Sequence, residues 1–136
     1  MGKSLGNAIY LSDSEEEITR KVMGALTDPA RIRKDDKGNP DICMVAYYHK
    51  LFTKDEDYKT VCSECKAGER GCVACKKQLI KNIIDELEPI RAKRAYYEAH
   101  PEIIDKVLIE GTKKAQQTAK EVMKKVKKAM KLNYFE

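Results

Sequence analysis

Residues 72–98, CVACKKQLIKNIIDELEPIRAKRAYYE, decide the fold class of this 136-residue chain. Apolar residues recur there at helical spacing, namely Leu79, Ile83, Ile84, Leu87, Ile90 and Ala95. Nowhere does the chain alternate apolar and polar residues over the length of a strand. The pattern therefore predicts an all-α protein in which residues 72–98 form a long helix.

Similar spacing predicts further helices on both sides of this segment. We expect helices over residues 12–26, 41–52, 56–66 and 102–131. The last helix would bury Ile104, Leu108, Ala115, Ala119, Val122, Val126 and Ala129. Over residues 1–13 we expect a loop that contains a short extended segment. The expected architecture is a helical bundle of about four to five helices over residues 14–136, preceded by this N-terminal segment.

Composition and charge narrow the class of protein. Apolar residues make up 42% of the chain and charged residues 36%, which predicts a globular domain with a largely ionic surface. The net charge of +5 is uneven, since residues 1–58 carry nine Lys and Arg against eleven Asp and Glu, and residues 59–136 carry eighteen against eleven. A basic half is compatible with a polyanionic partner. Without a signal peptide or a membrane-length apolar run, we expect a cytoplasmic protein with reduced cysteines.

The spacing of the cysteines predicts a metal site with two possible ligand sets. Cys62, Cys65, Cys72 and Cys75 have the spacing Cys-x2-Cys-x6-Cys-x2-Cys, which is typical of a four-thiolate zinc site. The other set replaces Cys62 with the isolated Cys43, and this set suits a bulky iron–sulfur cluster wedged between helices. On spacing alone zinc is favoured, and buried, metal-free thiols are a third possibility.

The N-terminal segment carries a resemblance to a known family. Residues 1–9, MGKSLGNAI, are similar to the Lys-Met-Ser-Lys-Ser loop of class I aminoacyl-tRNA synthetases, although the first Lys of that loop is absent and Gly2 stands where Ser is usual. The following LGNAIYLSD and TDPARIRKDDKGNPDICMVAYYH, with GCVACKK, EPIRAKRAYYE and EGTKKA further on, resemble the C-terminal part of tryptophanyl-tRNA synthetases.

The resemblance implies a role in ATP binding for the N-terminal segment and a role in tRNA binding for the rest of the chain. In the family, the loop contacts the phosphates of ATP, and this role falls to Lys3 with Ser4 beside it. The family's catalytic Rossmann domain would lie upstream, which implies that this chain is a fragment of a tRNA ligase and does not activate tryptophan by itself. The full-length enzyme would bind ATP, tryptophan and its tRNA as a homodimer, and residues 14–136 would hold the anticodon.

The resemblance also changes the preferred ligand set. A subset of these synthetases carries a 4Fe-4S cluster in the anticodon-binding domain, and its cysteines are similar in spacing to Cys43, Cys65, Cys72 and Cys75. Cys62 would then be a bystander, whereas zinc on Cys62 and the last three remains the alternative. Basic residues flanking the site are candidate RNA contacts, namely Lys66, Arg70, Lys76 and Lys77.

Overall fold

Five α-helices make up most of the chain in the computed structural model, which describes residues 3–132 and 134. They are α1 (Glu15–Met23), α2 (Met44–Phe52), α3 (Asp55–Ala67), α4 (Cys72–Ala99) and α5 (Pro101–Ala129). Two single 3-10 turns occupy Lys3–Leu5 and Pro40–Ile42. No strand occurs in the described part, so the predicted all-α class is confirmed.

Helix α1 begins at a capping box. The hydroxyl of Ser14 accepts from the amide of Glu17, and the carboxylate of Glu17 accepts from the amide of Ser14. This reciprocal pair satisfies two backbone donors that the first turn would otherwise leave unpaired. The helix ends at Gly24 and is therefore shorter than the predicted 12–26.

The core of residues 1–92 lies where α1, α2 and α4 meet. Its buried aliphatic side chains are Ile18, Val22, Val45, Leu79, Ile80, Ile83 and Leu87. Each such side chain contributes about 1.5–3 kcal/mol when fully removed from water. The helical spacing thus placed Leu79, Ile83 and Leu87 correctly on the buried face that holds α4 against α1 and α2, whereas Ile90 and Ala95 of the same pattern are exposed.

A buried ion pair joins the segment before α1 to the helix itself. Lys21 Nζ lies 2.5 Å from Asp13 Oδ2, with both side chains almost fully buried. Burial alone would raise the pKa of Asp13. The hydrogen bonds from Lys21 and the Tyr10 amide, together with nearby positive charge, outweigh burial and lower that pKa below its ordinary 3.8.

Helix α3 ends in a left-handed turn. Gly68 has φ +81°, a conformation that side chains disfavour, and its amide donates to the carbonyl of Cys65. A Cβ at this position would overlap the carbonyl oxygen of Asp35, so the chain also needs the absence of a side chain there. The turn reverses the chain before α4 begins at Cys72.

The chain divides into two compact units, residues 1–92 and 93–136, with the boundary inside α4. In the second unit, Tyr96 stacks on His100 and meets Tyr97 edge to face. Helix α5 has an apolar stripe, but none of its residues is buried. The predicted burial of its apolar face is therefore wrong, because periodicity shows which side chains share a face and not whether anything covers it. No helix in the described part is long and apolar enough to span a membrane.

Candidate functional site

Four of the five cysteines line one cavity in the unit formed by residues 1–92. Cys43, Cys65, Cys72 and Cys75 line a narrow cavity of about 20 Å³ that is partly open to solvent. We call this space the thiol cavity. Its other lining residues are the polar Thr27, the basic Arg31 and Arg70, and the apolar Pro40, Val45, Ala46 and Val61.

Each thiol reaches the cavity from the end of a helix. Cys43 lies in extended backbone (φ −89°, ψ 118°) between the 3-10 turn at Pro40–Ile42 and the start of α2. This break explains why the predicted helix 41–52 begins only at residue 44. Cys65 lies in the last turn of α3, and Cys72 and Cys75 share the first turn of α4 three positions apart, on one face of the helix.

Cys62 is placed differently from the other four. It lies one turn before Cys65 on α3, but it is not among the residues that line the thiol cavity. A hydrogen bond joins its side chain to that of Tyr58, and this contact raises the pKa of Tyr58. The ligand set gathered around the cavity is the one that contains Cys43, not the one that contains Cys62.

The spacing of the ligand atoms bears on the kind of metal. Among the described residues, no three His, Cys, Asp or Glu side chains converge closely enough to hold a single metal ion. A zinc ion would require its four sulfurs about 2.3 Å from one point.

The protonation of the thiols depends on the burial of the cavity. Burial raises the pKa of Cys75 to about 12, against a smaller lowering by Arg70. Burial also raises the pKa of Cys65, again opposed by a nearby guanidinium, that of Arg31. The other cysteines around the cavity raise both values further because neighbouring thiolates repel each other. A cation in the cavity would instead lower the pKa of these thiols, since metal ions bind the thiolate form.

Two arginines bring positive charge to the cavity. The Arg31 guanidinium donates from Nη1 to Cys65 Sγ at 3.7 Å, and from Nη2 to the carbonyls of Lys34 at 2.7 Å and Arg70 at 2.5 Å. Arg70 is held in turn by Glu64 and Gln78, each at 2.6 Å. Both guanidinium groups are therefore fixed beside the thiols. Nothing in the cysteine spacing indicated Arg31.

Gly38 brings the loop before α2 against the end of α3. Its amide donates to the carbonyl of Cys65 at 2.9 Å, and a Cβ on it would lie only 2.6 Å from Cys65 Sγ. The site therefore depends on a glycine at this position. The sequence does not indicate this role, because a glycine in the polar loop DKGNP gives no sign of which side chain it will face.

His49 connects α2 to the start of α4. The ring is fully buried, and burial lowers its pKa, so it is neutral. Nε2 lies 3.0 Å from the carbonyl of Cys75, which can only accept, so Nε2 carries the proton. Nδ1 then accepts from the Thr53 hydroxyl at 2.8 Å, and Thr53 Oγ1 accepts from Asn82 at 2.8 Å. This chain of hydrogen bonds holds the backbone of Cys75 in place.

The four predicted RNA contacts fall into two groups. Lys66 and Lys77 are exposed. Arg70 is occupied by Glu64 and Gln78, and the Lys76 ammonium donates to the carbonyls of Met23 and Ala25, both at 2.7 Å, at the end of α1. The structure thus gives Lys76 a bracing contact between α4 and α1, and leaves Lys66 and Lys77 accessible to a partner.

An open groove beside the thiol cavity gathers further basic residues that the sequence analysis did not single out. This basic groove is lined by Thr27, Arg31, Ile32, Arg33, Lys34, Gly71, Cys72, Val73, Ala74 and Lys77. It shares Thr27, Arg31 and Cys72 with the cavity. Ile32 is 89% exposed and Val73 54% exposed, so apolar side chains stand open to solvent among the positive charges.

The predicted ATP contacts lie at the N-terminus. Met1, Gly2 and the side chain of Lys3 lie outside the described residues. Ser4 belongs to the 3-10 turn Lys3–Leu5 and is exposed. The roles assigned to Lys3 and Ser4 by the resemblance stay predictions.

Comparison with known sequences adds an independent observation. A family model described as tRNA synthetases class I (W and Y) matches residues 1–88. A tryptophan–tRNA ligase from Aquifex aeolicus is 47% identical over 133 residues, 97% of this chain and 34% of the relative. One from Thermotoga maritima is 42% identical over 135 residues, 98% of this chain and 41% of the relative. The chain thus spans between a third and about two fifths of the length of these relatives.

Solved structures share the fold. The crystal structure of a tryptophanyl-tRNA synthetase from Campylobacter jejuni, complexed with ADP and tryptophan, superimposes with a TM-score of 0.84 at 23% identity. The match covers 96% of this chain and 40% of the other. At this level of identity the likeness concerns the fold alone.

Proposed function

The chain belongs to the W and Y family of class I tRNA synthetases, and from this premise we propose that it is the C-terminal, anticodon-binding region of a tryptophan–tRNA ligase. The observation that carries the proposal is the similarity to two such ligases over nearly the whole chain. The complete enzyme would join tryptophan to its tRNA at the cost of ATP, and would be a homodimer.

The thiol cavity supports the second part of the proposal, a 4Fe-4S cluster held by Cys43, Cys65, Cys72 and Cys75. The donor set fits the group, because four cysteine thiolates are the usual ligands of such clusters. The positive charge of Arg31 and Arg70 at the cavity fits it as well, since a cluster with four thiolates is a net anion. With all positions ligated, the cluster would brace the ends of α3 and α4 and would not act on a substrate.

The basic groove is the proposed contact for RNA. Phosphates are bound by Arg and Lys side chains, and the groove offers Arg33, Lys34 and Lys77 within one open surface. The exposed Ile32 adds an apolar side chain against which an unpaired base can pack. Because the groove shares Cys72 and Arg31 with the thiol cavity, a cluster there would hold its floor in a fixed shape.

Reconstitution of the chain with iron and sulfide under anaerobic conditions tests the cluster. We expect about four iron atoms per chain and a broad visible absorbance that bleaches on reduction. A colourless chain that binds one zinc with full occupancy would contradict the proposal and favour the zinc alternative.

Binding of tryptophan tRNA tests the function. We expect the chain to prefer this tRNA over the same tRNA with a changed anticodon, with affinity that falls steeply as salt is raised. Lys77→Ala should weaken binding and reduce the salt slope by about one. Lys50→Ala, which removes an exposed charge on α2 outside the groove, is the matched control. Equal affinity for every tRNA would mean that the chain binds RNA only through its positive charge, and this result would contradict the proposed anticodon recognition.

A further inference from the structure

Arg31 has one donor that the protein leaves unpaired. Its Nε is buried and has no hydrogen-bond partner, and it is the one such side-chain atom found among the described residues. The same guanidinium is otherwise well satisfied, since Nη1 donates to Cys65 Sγ and Nη2 donates to two backbone carbonyls. A buried donor on a cation is costly when it has no acceptor, so an unpaired one suggests an acceptor that the chain itself does not supply.

The position of Arg31 identifies the kind of acceptor. The side chain lines the thiol cavity together with the four cysteines. Its contacts to the carbonyls of Lys34 and Arg70 fix the guanidinium plane, so the group is held before anything binds. An anionic acceptor in the cavity would pair best with a donor on this cation, and the sulfur atoms of an iron–sulfur cluster held by the four cysteines are such acceptors.

We propose that Arg31 is a positioning residue for the cluster, donating from Nε to a sulfur atom of the cluster and from Nη1 to the ligand Cys65, thereby retaining the cluster and setting its reduction potential. This inference rests on the proposed cluster. Hydrogen bonds to cluster sulfurs and nearby positive charge stabilise the more negative, reduced form. Arg31 therefore raises the reduction potential above the value that the four cysteines alone would give.

The test compares Arg31→Met, Arg31→Lys and wild type after anaerobic reconstitution of the full 136-residue chain. Arg31→Met removes the charge and all donors, whereas Arg31→Lys keeps the charge but loses Nε and the planar fork. Lys37→Met, which changes an exposed residue of the same loop that lines neither the thiol cavity nor the basic groove, is the matched control. Circular dichroism checks that each variant keeps its helices.

We expect Arg31→Met to lose its cluster to a chelator faster, with metal affinity reduced on the order of 10- to 100-fold, the range for a residue that hydrogen-bonds to a metal ligand. The cluster that remains should have a lower reduction potential, with Arg31→Lys between Arg31→Met and wild type. Lys37→Met should match wild type in both measurements.

Two results would overturn the inference, and they have different meanings. If wild type holds the cluster while folded Arg31→Met and Arg31→Lys show unchanged chelator resistance and potential, Arg31 has no such role and the proposed function stands. If wild type itself takes up no cluster, the proposed cluster fails, and the role of Arg31 fails with it.

Discussion

The amide of Gly38 donates a 2.9 Å hydrogen bond to the carbonyl of Cys65, and the missing side chain of Gly38 leaves room for the sulfur of the same cysteine. One residue thus fixes the backbone of a candidate ligand and clears the space for its thiol. The contact crosses 27 positions of the chain, from Gly38 to Cys65, and joins the loop before α2 to the last turn of α3.

Gly38→Ala should damage the thiol cavity. The added Cβ would lie 2.6 Å from Cys65 Sγ, so either the thiol or the loop must move. We expect a loss of stability of about 1–3 kcal/mol, the usual cost of overpacking, measured by chemical denaturation, and reduced iron uptake. Gly111→Ala is the control, because nothing lies within 4 Å of a Cβ on Gly111 and alanine favours a helix interior. Unchanged iron uptake in Gly38→Ala would contradict this reading of the site.

Gly68, in the turn after α3, can be tested against Gly6, a second glycine with positive φ that serves as its control. Gly68 and Gly6 both have positive φ, at +81° and +62°, but only Gly68 has a backbone oxygen where a Cβ would be placed. Alanine at either position costs about 1–2 kcal/mol for the left-handed conformation. Gly68→Ala should cost more, because the clash with Asp35 adds to it. Equal denaturation midpoints for the two variants would show that the contact with Asp35 is not significant.

The buried pair of Asp13 and Lys21 should make stability depend on acid pH. The pKa of Asp13 is lowered below 3.8 in the folded chain, so its stabilising contribution is complete above about 3.8 and is lost as pH falls through the folded value. Asp13→Asn should lower stability at neutral pH by about 1.5–3 kcal/mol, the value of a hydrogen bond to a charged group. The free energy of unfolding of Asp13→Asn should also fall less steeply at acid pH than that of the wild type, because the variant has no carboxylate to protonate at this position.

The exposed pair of Arg94 and Glu98 provides the comparison for Asp13. Its side chains are 60% and 61% exposed, so Glu98→Gln should change stability by at most about 0.5 kcal/mol. If Asp13→Asn changed stability no more than Glu98→Gln, the buried pair would have no special role.

Two serine substitutions separate the candidate ligand sets. Cys43→Ser should abolish cluster binding, because Cys43 lines the cavity and serine lacks the thiolate that binds iron. Cys62→Ser should leave binding intact, since Cys62 lies outside the cavity lining and serine can keep a hydrogen bond to Tyr58. Iron content and visible absorbance after reconstitution measure both. Loss of metal in Cys62→Ser alone would favour the zinc set.

The helices were largely predictable from the sequence because their signals are local. The spacing of Leu79, Ile83 and Leu87 gave the buried face of α4, and the predicted helix over residues 12–26 exists but is shorter at both ends, at Glu15–Met23. The start of α2 was less accurate, since the extended backbone at Cys43 depends on how residues 40–43 pack. The burial of α5 was wrong, because an apolar stripe does not specify a neighbour.

By itself, the sequence determined the all-α class, the family and the candidate thiols, because periodicity, motif and spacing are all properties of near neighbours in the chain. Only the tertiary structure decided which thiols share a cavity and what surrounds them. Arg31, Gly38 and His49 each act on a cysteine at least 26 positions away. Their roles arise from how loops and helix ends meet across the fold, and no local pattern of residues encodes that meeting.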